Sequence, residues 1–356
     1  MRIYIVVLCG VLGFVIPSSA AVSVARNGFS EDFVKKQKRI HTVYNNKLHS
    51  DEPAVDVLDS KQTGEMQARE EIEAKNPGMV SFLYSNPLGK LIAPLCTRSA
   101  FASNIAGWYA DSNTSRKNIA KFIRAYKINT AEAEKDVADY KTLNDFFARK
   151  LKAGARTFDS SPKAFCSPAD GKLLVVEHLS TESCFPIKGV QFNYEQLLDC
   201  GKEKHCDAEY YRDGTAFVIR LSPGDYHRFH APISGTPHYA YTIPGFFDSV
   251  DPLVYASGRQ PLLGNQRVVF EMNSIYGFRI AIIAVGALCV GRITTTYIPN
   301  RLIDKGAELG YFSFGGSTIV IIVPAGRMHV DKKYSKHSIH QRETAILAGS
   351  RIAEIC

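Results

Sequence analysis

The sequence predicts an α+β fold in which an N-terminal helical segment is followed by a β-rich domain. Before about residue 153, apolar residues recur at helical spacing. After about residue 154, short apolar runs rich in β-branched residues alternate with turn residues, which is typical of strands. The predicted strands lie at 173–176, 217–221, 268–272, 278–285 and 318–323.

Helical spacing is clearest over 119–126, where Ile119, Phe122, Ile123 and Tyr126 fall at i, i+3, i+4 and i+7. Ser115 is the expected N-cap of this helix. A further short helix is predicted from Asn129 or Thr130, and another is predicted to follow Thr142. We therefore assign 81–153 to a helical, membrane-proximal region and 154–356 to the β-rich domain.

The first residues have the pattern of a targeting signal. Arg2 precedes a nearly uncharged run over 3–16, and small residues follow to Ala21. This pattern predicts a secretory signal peptide over 1–21, with an uncleaved signal anchor as the alternative. The polar stretch 22–80 is predicted to be a flexible linker. The signal places the chain in the secretory pathway, at the endoplasmic reticulum membrane or secreted.

The chain has 356 residues and a formal net charge of +8, without long Lys/Arg runs. This modest basic excess suits an anionic membrane surface, and we predict no nucleic-acid partner. The apolar stretch 87–109 either forms a core helix pair or lies on a membrane. Eight cysteines occur without a CxxC pair, so we expect no zinc cluster.

Three polar groups are candidates for chemistry. Asp170 lies in an Asp-Gly turn, His227 and His230 are three residues apart, and Ser317 follows Gly315-Gly316. Taken singly, each has an ordinary structural explanation, and the histidines lie in a loop or strand rather than on a helix that would favour a shared metal. Together they supply the parts of an activated nucleophile. The paired glycines leave the carbonyl before Ser317 unobstructed, which would help a serine that attacks its own backbone.

A series of short motifs follows one another along the chain, at 144–149, 167–171, 187–189, 220–232, 265–267, 285–291, 305–310 and 312–318. In these motifs the sequence resembles the pyruvoyl-dependent phosphatidylserine decarboxylases, and the resemblance covers most of 85–350. One departure is visible, because the family commonly has Leu-Gly-Ser-Thr where this chain has Gly315-Gly316-Ser317-Thr318.

The resemblance implies a proenzyme that cuts itself between Gly316 and Ser317. Asp170, His230 and Ser317 would form the self-processing triad, in which Asp170 orients His230 and His230 deprotonates Ser317. The serine oxygen would attack the Gly316 carbonyl to give an ester. Elimination would then leave a β-chain ending at 316 and an α-chain, 317–356, whose first residue is hydrolysed to a pyruvoyl group with release of ammonia.

The resemblance also implies the second stage of the chemistry. The pyruvoyl cofactor, derived from Ser317, would accept the electrons left when phosphatidylserine loses carbon dioxide and becomes phosphatidylethanolamine. His227 would donate a proton or position the substrate. Arg228, Arg267 and Lys305 are candidate head-group residues.

The implied partners are phosphatidylserine, a membrane surface and the two chains of one proenzyme, and a homodimer is also allowed. Family habit adds the mitochondrial inner membrane or a bacterial envelope as alternative locations. Two rival hypotheses, a serine hydrolase and a non-catalytic lipid-binding protein, both require an intact chain.

Overall fold

The computed structural model describes residues 82–84, 86–97, 107–180, 193–199, 207–251, 254–255, 257–287, 292–315, 317–340 and 342–356. All of them belong to one compact unit, Asn76–Cys356. The predicted signal over 1–21, the predicted linker over 22–80 and Gly316 lie outside the described residues.

Helices dominate the described chain before residue 150, as the apolar spacing predicts, and short helices recur later. Single 3-10 turns lie at Asn113–Asn118, Thr130–Glu132, Val137–Asp139 and Glu209–Tyr211. The α-helices are α1 (Pro87–Thr97), α2 (Ile119–Tyr126), α3 (Leu143–Phe147), α4 (Tyr194–Leu198), α5 (Pro261–Gly264) and α6 (Lys332–Ile339).

The helix caps only partly follow the prediction. Thr142 caps α3 as expected, with its side chain accepting a hydrogen bond from the Asp145 backbone N–H. Ser115 is not the cap of α2, because it lies inside a 3-10 turn and Asn118 occupies the cap position. The Ser115 hydroxyl instead donates to Ala110 and accepts from the Leu143 N–H at 2.8 Å, which joins the start of α3 to the preceding helical segment.

All five predicted strands are confirmed, with ends that differ by at most two residues. They correspond to β2, β3, β7, β8 and β11. The strands are β1 (Ala164–Cys166), β2 (Gly171–Val176), β3 (Thr215–Leu221), β4 (Arg228–His230), β5 (Gly235–Pro237), β6 (Tyr241–Ile243), β7 (Arg267–Ser274), β8 (Arg279–Gly286), β9 (Ile293–Thr295), β10 (Glu308–Phe312), β11 (Ser317–Val323), β12 (Met328–Val330), β13 (Thr344–Ile346) and β14 (Arg351–Ile355).

One antiparallel sheet of eight strands organises the β-rich region. Its order is β13-β2-β3-β11-β8-β7-β5, and β6 also pairs with β7. Two three-stranded sheets, β1-β14-β12 and β4-β10-β9, complete the fold. This arrangement of helices followed by antiparallel sheets confirms the α+β prediction.

Strand β11 lies between β3 and β8 and is buried on both faces, which explains its continuous apolar sequence. Because side chains alternate along a strand, Ile319 and Ile321 enter one core cluster while Val320 and Ile322 enter another on the opposite face. The first residue of this strand, Ser317, is therefore held by backbone pairing on both sides.

A separate aromatic cluster joins the helical segment to the chain just before β11. Phe122, Phe146 and Phe147 are buried together. The Phe314 ring lies 5.3 Å from Phe147 and 5.7 Å from Phe122, measured between ring centroids. The Phe314 N–H also donates to the Asn144 side chain at 2.8 Å. Helix α3 therefore anchors the segment that leads to Ser317.

Candidate active site

Ser317 is fully buried at the start of the central strand β11. Its cross-strand neighbours are Leu221 on β3 and Gly286 on β8. The sheet fixes the backbone of this serine, while its hydroxyl leaves the sheet on one face. A buried hydroxyl requires a hydrogen-bond partner, and His227 provides it.

His227 lies between β3 and β4, and both of its ring nitrogens are engaged. Nε2 is 3.0 Å from the Ser222 carbonyl oxygen, and Nδ1 is 3.2 Å from Ser317 Oγ. A carbonyl only accepts hydrogen bonds, so Nε2 must carry the proton of the neutral ring. Nδ1 is then an acceptor, and the Ser317 hydroxyl donates to it.

The surroundings keep the His227 ring uncharged. The ring is fully buried and stacks on Phe147, with 3.9 Å between the ring centroids. Burial, and then repulsion from the Arg149 guanidinium, lowers the pKa of His227 to about 3. The ring is therefore neutral at physiological pH, although so low a pKa also makes it a weak base.

His230, the predicted base, has a different set of partners in the intact chain. Its Nδ1 is 2.9 Å from the Gly306 carbonyl oxygen, and its Nε2 is 3.0 Å from the Tyr226 hydroxyl. Burial lowers the pKa of His230 as well. The structure thus brings His227 to Ser317, while no hydrogen bond joins His230 to Ser317 among the described residues.

Asp170 is buried and its carboxylate is bound to Arg156. The Arg156 guanidinium donates to both carboxylate oxygens, at 2.8 and 2.6 Å, and the Ala348 N–H donates at 2.9 Å. Within the described part of the chain, Asp170 makes no hydrogen bond to either histidine. Its charge nevertheless acts on both rings, because it opposes part of the pKa lowering of His227 and His230.

Two glycines permit close backbone geometry at the site. Gly171 follows Asp170, and a side chain at Gly171 would place its Cβ only 2.6 Å from the Arg220 carbonyl oxygen. Gly315 has a φ of +140°, a region that favours glycine. The family pattern has leucine at Gly315, so the departure seen in the sequence coincides with a backbone conformation suited to glycine.

The predicted head-group residues are all engaged in the fold. Arg228 pairs with Glu308 at 2.9 Å, and the Lys305 ammonium donates to the Ser161 carbonyl at 2.7 Å. Arg267 donates to the carbonyl oxygens of Leu197, Leu263, Asn265 and Gln196. Each of these side chains therefore holds parts of the fold together.

Sequence reasoning missed Arg149, which ends the 144–149 motif without any role assigned to it. It is 5% exposed, and its Nη2 donates to the carbonyl oxygens of Gly224 and Asp225 in the turn that carries His227. The only signal for it was its position within a motif of the resemblance. Over the described residues, no group of three or more His, Cys, Asp and Glu side chains could hold a metal ion.

Comparisons with known proteins point to one enzyme family. A family model described as phosphatidylserine decarboxylase matches residues 143–354. A phosphatidylserine decarboxylase proenzyme from Ruminiclostridium cellulolyticum is 37% identical over 274 residues, which are 77% of this chain and 90% of that protein. Proenzymes of the same name from Clostridium botulinum and Fusobacterium nucleatum are 35% and 33% identical, covering 77% and 82% of this chain and 91% and 95% of their own length.

The predicted location in the secretory pathway is wrong. The relatives that match this chain are bacterial proteins, which the prediction of an endoplasmic reticulum or secretory location does not fit. The predicted signal itself falls outside the described residues. In the part of the chain that the structure describes, no helix has the length and apolar character needed to cross a membrane.

The match of the family model and the identity with these proenzymes agree with the motifs of the sequence. This chain belongs to the phosphatidylserine decarboxylase family of enzymes.

Proposed function

We propose that the chain cuts itself between Gly316 and Ser317 and then decarboxylates phosphatidylserine to phosphatidylethanolamine, using a pyruvoyl group derived from Ser317. The observation that carries this proposal is the hydrogen bond between Ser317 Oγ and the buried His227 ring at the start of β11. A serine held in a sheet on both sides, with a histidine at its hydroxyl, supports nucleophilic attack by Ser317.

Self-cleavage requires Ser317 to lose its proton as Oγ attacks the carbonyl carbon of Gly316. The peptide C–N bond then breaks, the departing amine takes up a proton, and an ester remains on the serine. Elimination removes the Cα proton of residue 317 and cleaves its Cβ–O bond, which leaves a Cα=Cβ double bond in residue 317 and a carboxylate on Gly316. This double bond takes up a proton on Cβ to give an imine, and water then replaces the nitrogen, which leaves as ammonia. Gly315 supports the first step, the attack on the Gly316 carbonyl, since a neighbouring glycine lets the backbone adjust around that carbonyl.

Two histidines compete for the role of base. Contact favours His227, whose Nδ1 is 3.2 Å from the serine oxygen. Basicity favours His230, because a ring with a pKa of about 3 retains a proton poorly. Catalytic hydrogen bonds are often absent before the reacting geometry forms. The lack of a hydrogen bond between His230 and Ser317 among the described residues therefore does not exclude His230 as the base. We therefore keep Asp170 and His230 as the proton-accepting pair and assign to His227 the orientation of the Ser317 hydroxyl.

The space at Ser317 fits the pyruvoyl group, because that group is smaller than the serine residue from which it is made. When present, its ketone accepts the electrons released as the substrate carboxylate departs. The chain keeps this position fully buried beside His227, whose ring stacks on Phe147, and this burial excludes water from the site. His227 lies beside the same atoms and is the residue placed to hold the substrate or return a proton.

The first prediction concerns the fragments. Denaturing electrophoresis and intact-mass analysis of wild-type protein should show a small fragment, 317–356, whose N-terminus resists Edman degradation because it carries no amine. Ser317→Ala should leave the chain whole, since the nucleophile is absent. Ser313→Ala is a matched control, because the buried Ser313 hydroxyl has no hydrogen-bond partner among the residues that the structure describes. A wild-type chain that stays whole would support a hydrolase or a lipid-binding protein instead.

The second prediction separates the histidines. His230→Ala should stop self-cleavage because the stronger base is lost. His227→Ala should slow cleavage by roughly tenfold through loss of orientation and should impair turnover more severely. The measurements are the rate of fragment appearance after cell-free synthesis and carbon dioxide release. Normal cleavage in His230→Ala, together with none in His227→Ala, would transfer the role of base to His227.

The third prediction concerns pH. Burial lowers the pKa of both histidines below the ordinary value, so both rings remain neutral as the pH falls from 8 towards that value. We expect the cleavage rate to change by less than about twofold between pH 8 and about pH 6.5. Newly synthesised chain diluted into buffers of different pH provides the measurement. A tenfold decline across this window would show that the titrating base has a raised pKa.

We propose a membrane contact for the start of the described chain, since the substrate is a lipid. Leu88 and Leu91 on α1 are 56% and 74% exposed, and Trp108 is 76% exposed. The opposite side of α1 carries Ala93, which is buried with Leu83, Tyr84 and Val254. A helix packed on one side and apolar on the other fits a membrane surface. The homodimer that the resemblance allows also stays a proposal.

The fourth prediction tests this contact. Leu91→Ser and Trp108→Ser together should weaken binding to vesicles of phosphatidylserine and phosphatidylcholine by at least about tenfold, because each buried apolar side chain contributes on the order of 1.5 kcal/mol or more. Leu302→Ser is the matched control, since Leu302 is 61% exposed but lies in the β-rich region. Vesicle flotation measures the bound fraction. Equal losses in the control and the double variant would exclude a specific membrane face on the helical segment.

A further inference from the structure

Arg149 is a buried cation with unused hydrogen-bond donors. Its side chain lies just after α3 and is 5% exposed. Nη2 donates to the carbonyl oxygens of Gly224 at 3.0 Å and Asp225 at 3.2 Å. Nε and Nη1 have no partner among the described residues. Buried guanidinium groups normally use their donors, so these two nitrogens mark a candidate position for a ligand.

The contrast with the other buried arginines lies in how the donors are used. Arg220 pairs with Glu343, and Arg267 donates from Nε, Nη1 and Nη2 to four carbonyl oxygens. In the described chain, no carboxylate lies within ion-pair distance of Arg149, and its guanidinium instead lies 5.3 Å from the Phe146 ring centroid. Burying a charge without an opposite charge is unfavourable. A buried cation with two unused donors therefore suits an anionic ligand.

The position of Arg149 places that anion near the reacting serine. Gly224 and Asp225 belong to the turn 222–227, which also carries His227, and Phe147 of α3 stacks on the His227 ring. The charge of Arg149 acts on His227 strongly enough to rank second among the causes of its lowered pKa. An anion at Arg149 is thus close to whatever is bound at Ser317.

We propose that Arg149 binds the phosphodiester of the substrate head group, an inference that rests on the proposed function. The substrate also carries a carboxylate, but that group loses its charge in the reaction. A cation held against it would stabilise the ground state more than the transition state and slow the reaction. The phosphodiester keeps its charge throughout, so a guanidinium can hold it without opposing the chemistry.

Self-cleavage supplies a way for the head group to reach this site. In the intact chain Phe314 packs on Phe147 and its N–H donates to Asn144, so the segment before the cut lies against the motif that contains Arg149. Cleavage after residue 316 separates this segment from Ser317. The donors of Arg149 are then reached from the position of the new α-chain end.

The test compares two substrates that differ only in the phosphate. One is a short-chain phosphatidylserine, and the other joins serine through an ether to the same diacylglycerol. Arg149→Gln should lower kcat/KM for the phosphodiester about tenfold or more, chiefly through KM. It should change kcat/KM for the ether analogue much less, so that the preference for the phosphodiester disappears. Lys150→Gln, which removes a neighbouring exposed charge, should leave the preference unchanged.

The outcomes are distinguishable. Equal losses on both substrates would mean that Arg149 positions His227 or binds the carboxylate, and unchanged kinetics would mean that it binds nothing; either result overturns the inference. Fragment formation and thermal melting show whether the variant folds. If Arg149→Gln does not fold, Arg149→Lys keeps the charge but not the Nε and Nη1 donors, and an unchanged substrate preference in that variant also overturns it. A wild type that is never cleaved would defeat the proposed function instead.

Discussion

One hydrogen bond sets the chemistry of the site, namely the contact between the Ser222 carbonyl and Nε2 of His227. Because a carbonyl cannot donate, this contact fixes the proton on Nε2 and turns the lone pair of Nδ1 towards Ser317. The contact depends on strand β3, whose end places Ser222, and on β11, whose first residue is Ser317. The orientation of the nucleophile is thus determined by two adjacent strands of the central sheet.

Burial gives the site its electrostatic character. His227 and His230 are removed from water and therefore remain neutral, which both leaves them able to accept a proton and limits their strength as bases. The buried carboxylate of Asp170 is compensated by Arg156 rather than by a histidine. Asp170 consequently influences both rings through its field. Arg149 has no carboxylate partner of this kind among the described residues. Its Nε and Nη1 also lack a hydrogen-bond partner there, which is the reason to expect a ligand at Arg149.

Helix α3 connects the helical segment to the reactive region. Its residue Phe147 stacks on His227, and Phe314, in the segment that leads to Ser317, packs on the Phe147 ring. Arg149, immediately after the helix, holds the turn that carries His227. The same short motif therefore packs against the precursor segment and supports the catalytic turn. This dual contact explains why helices outside the sheet matter to a site that is built at the end of a strand.

The sequence by itself determined the five longest strands and pointed to Ser317 as the candidate nucleophile. Runs such as 318–323 are β-branched and apolar and therefore predicted strands, and the glycines before Ser317 marked an unobstructed carbonyl. The contacts of His227 and His230 could be identified only in the tertiary structure. A three-residue spacing across an irregular turn and a short strand does not fix the direction of either ring. The roles of Ser115 and Arg149 likewise depend on partners that are distant in sequence. Ser115 accepts from Leu143, and Arg149 donates to the turn at Gly224, and local sequence patterns cannot specify such contacts.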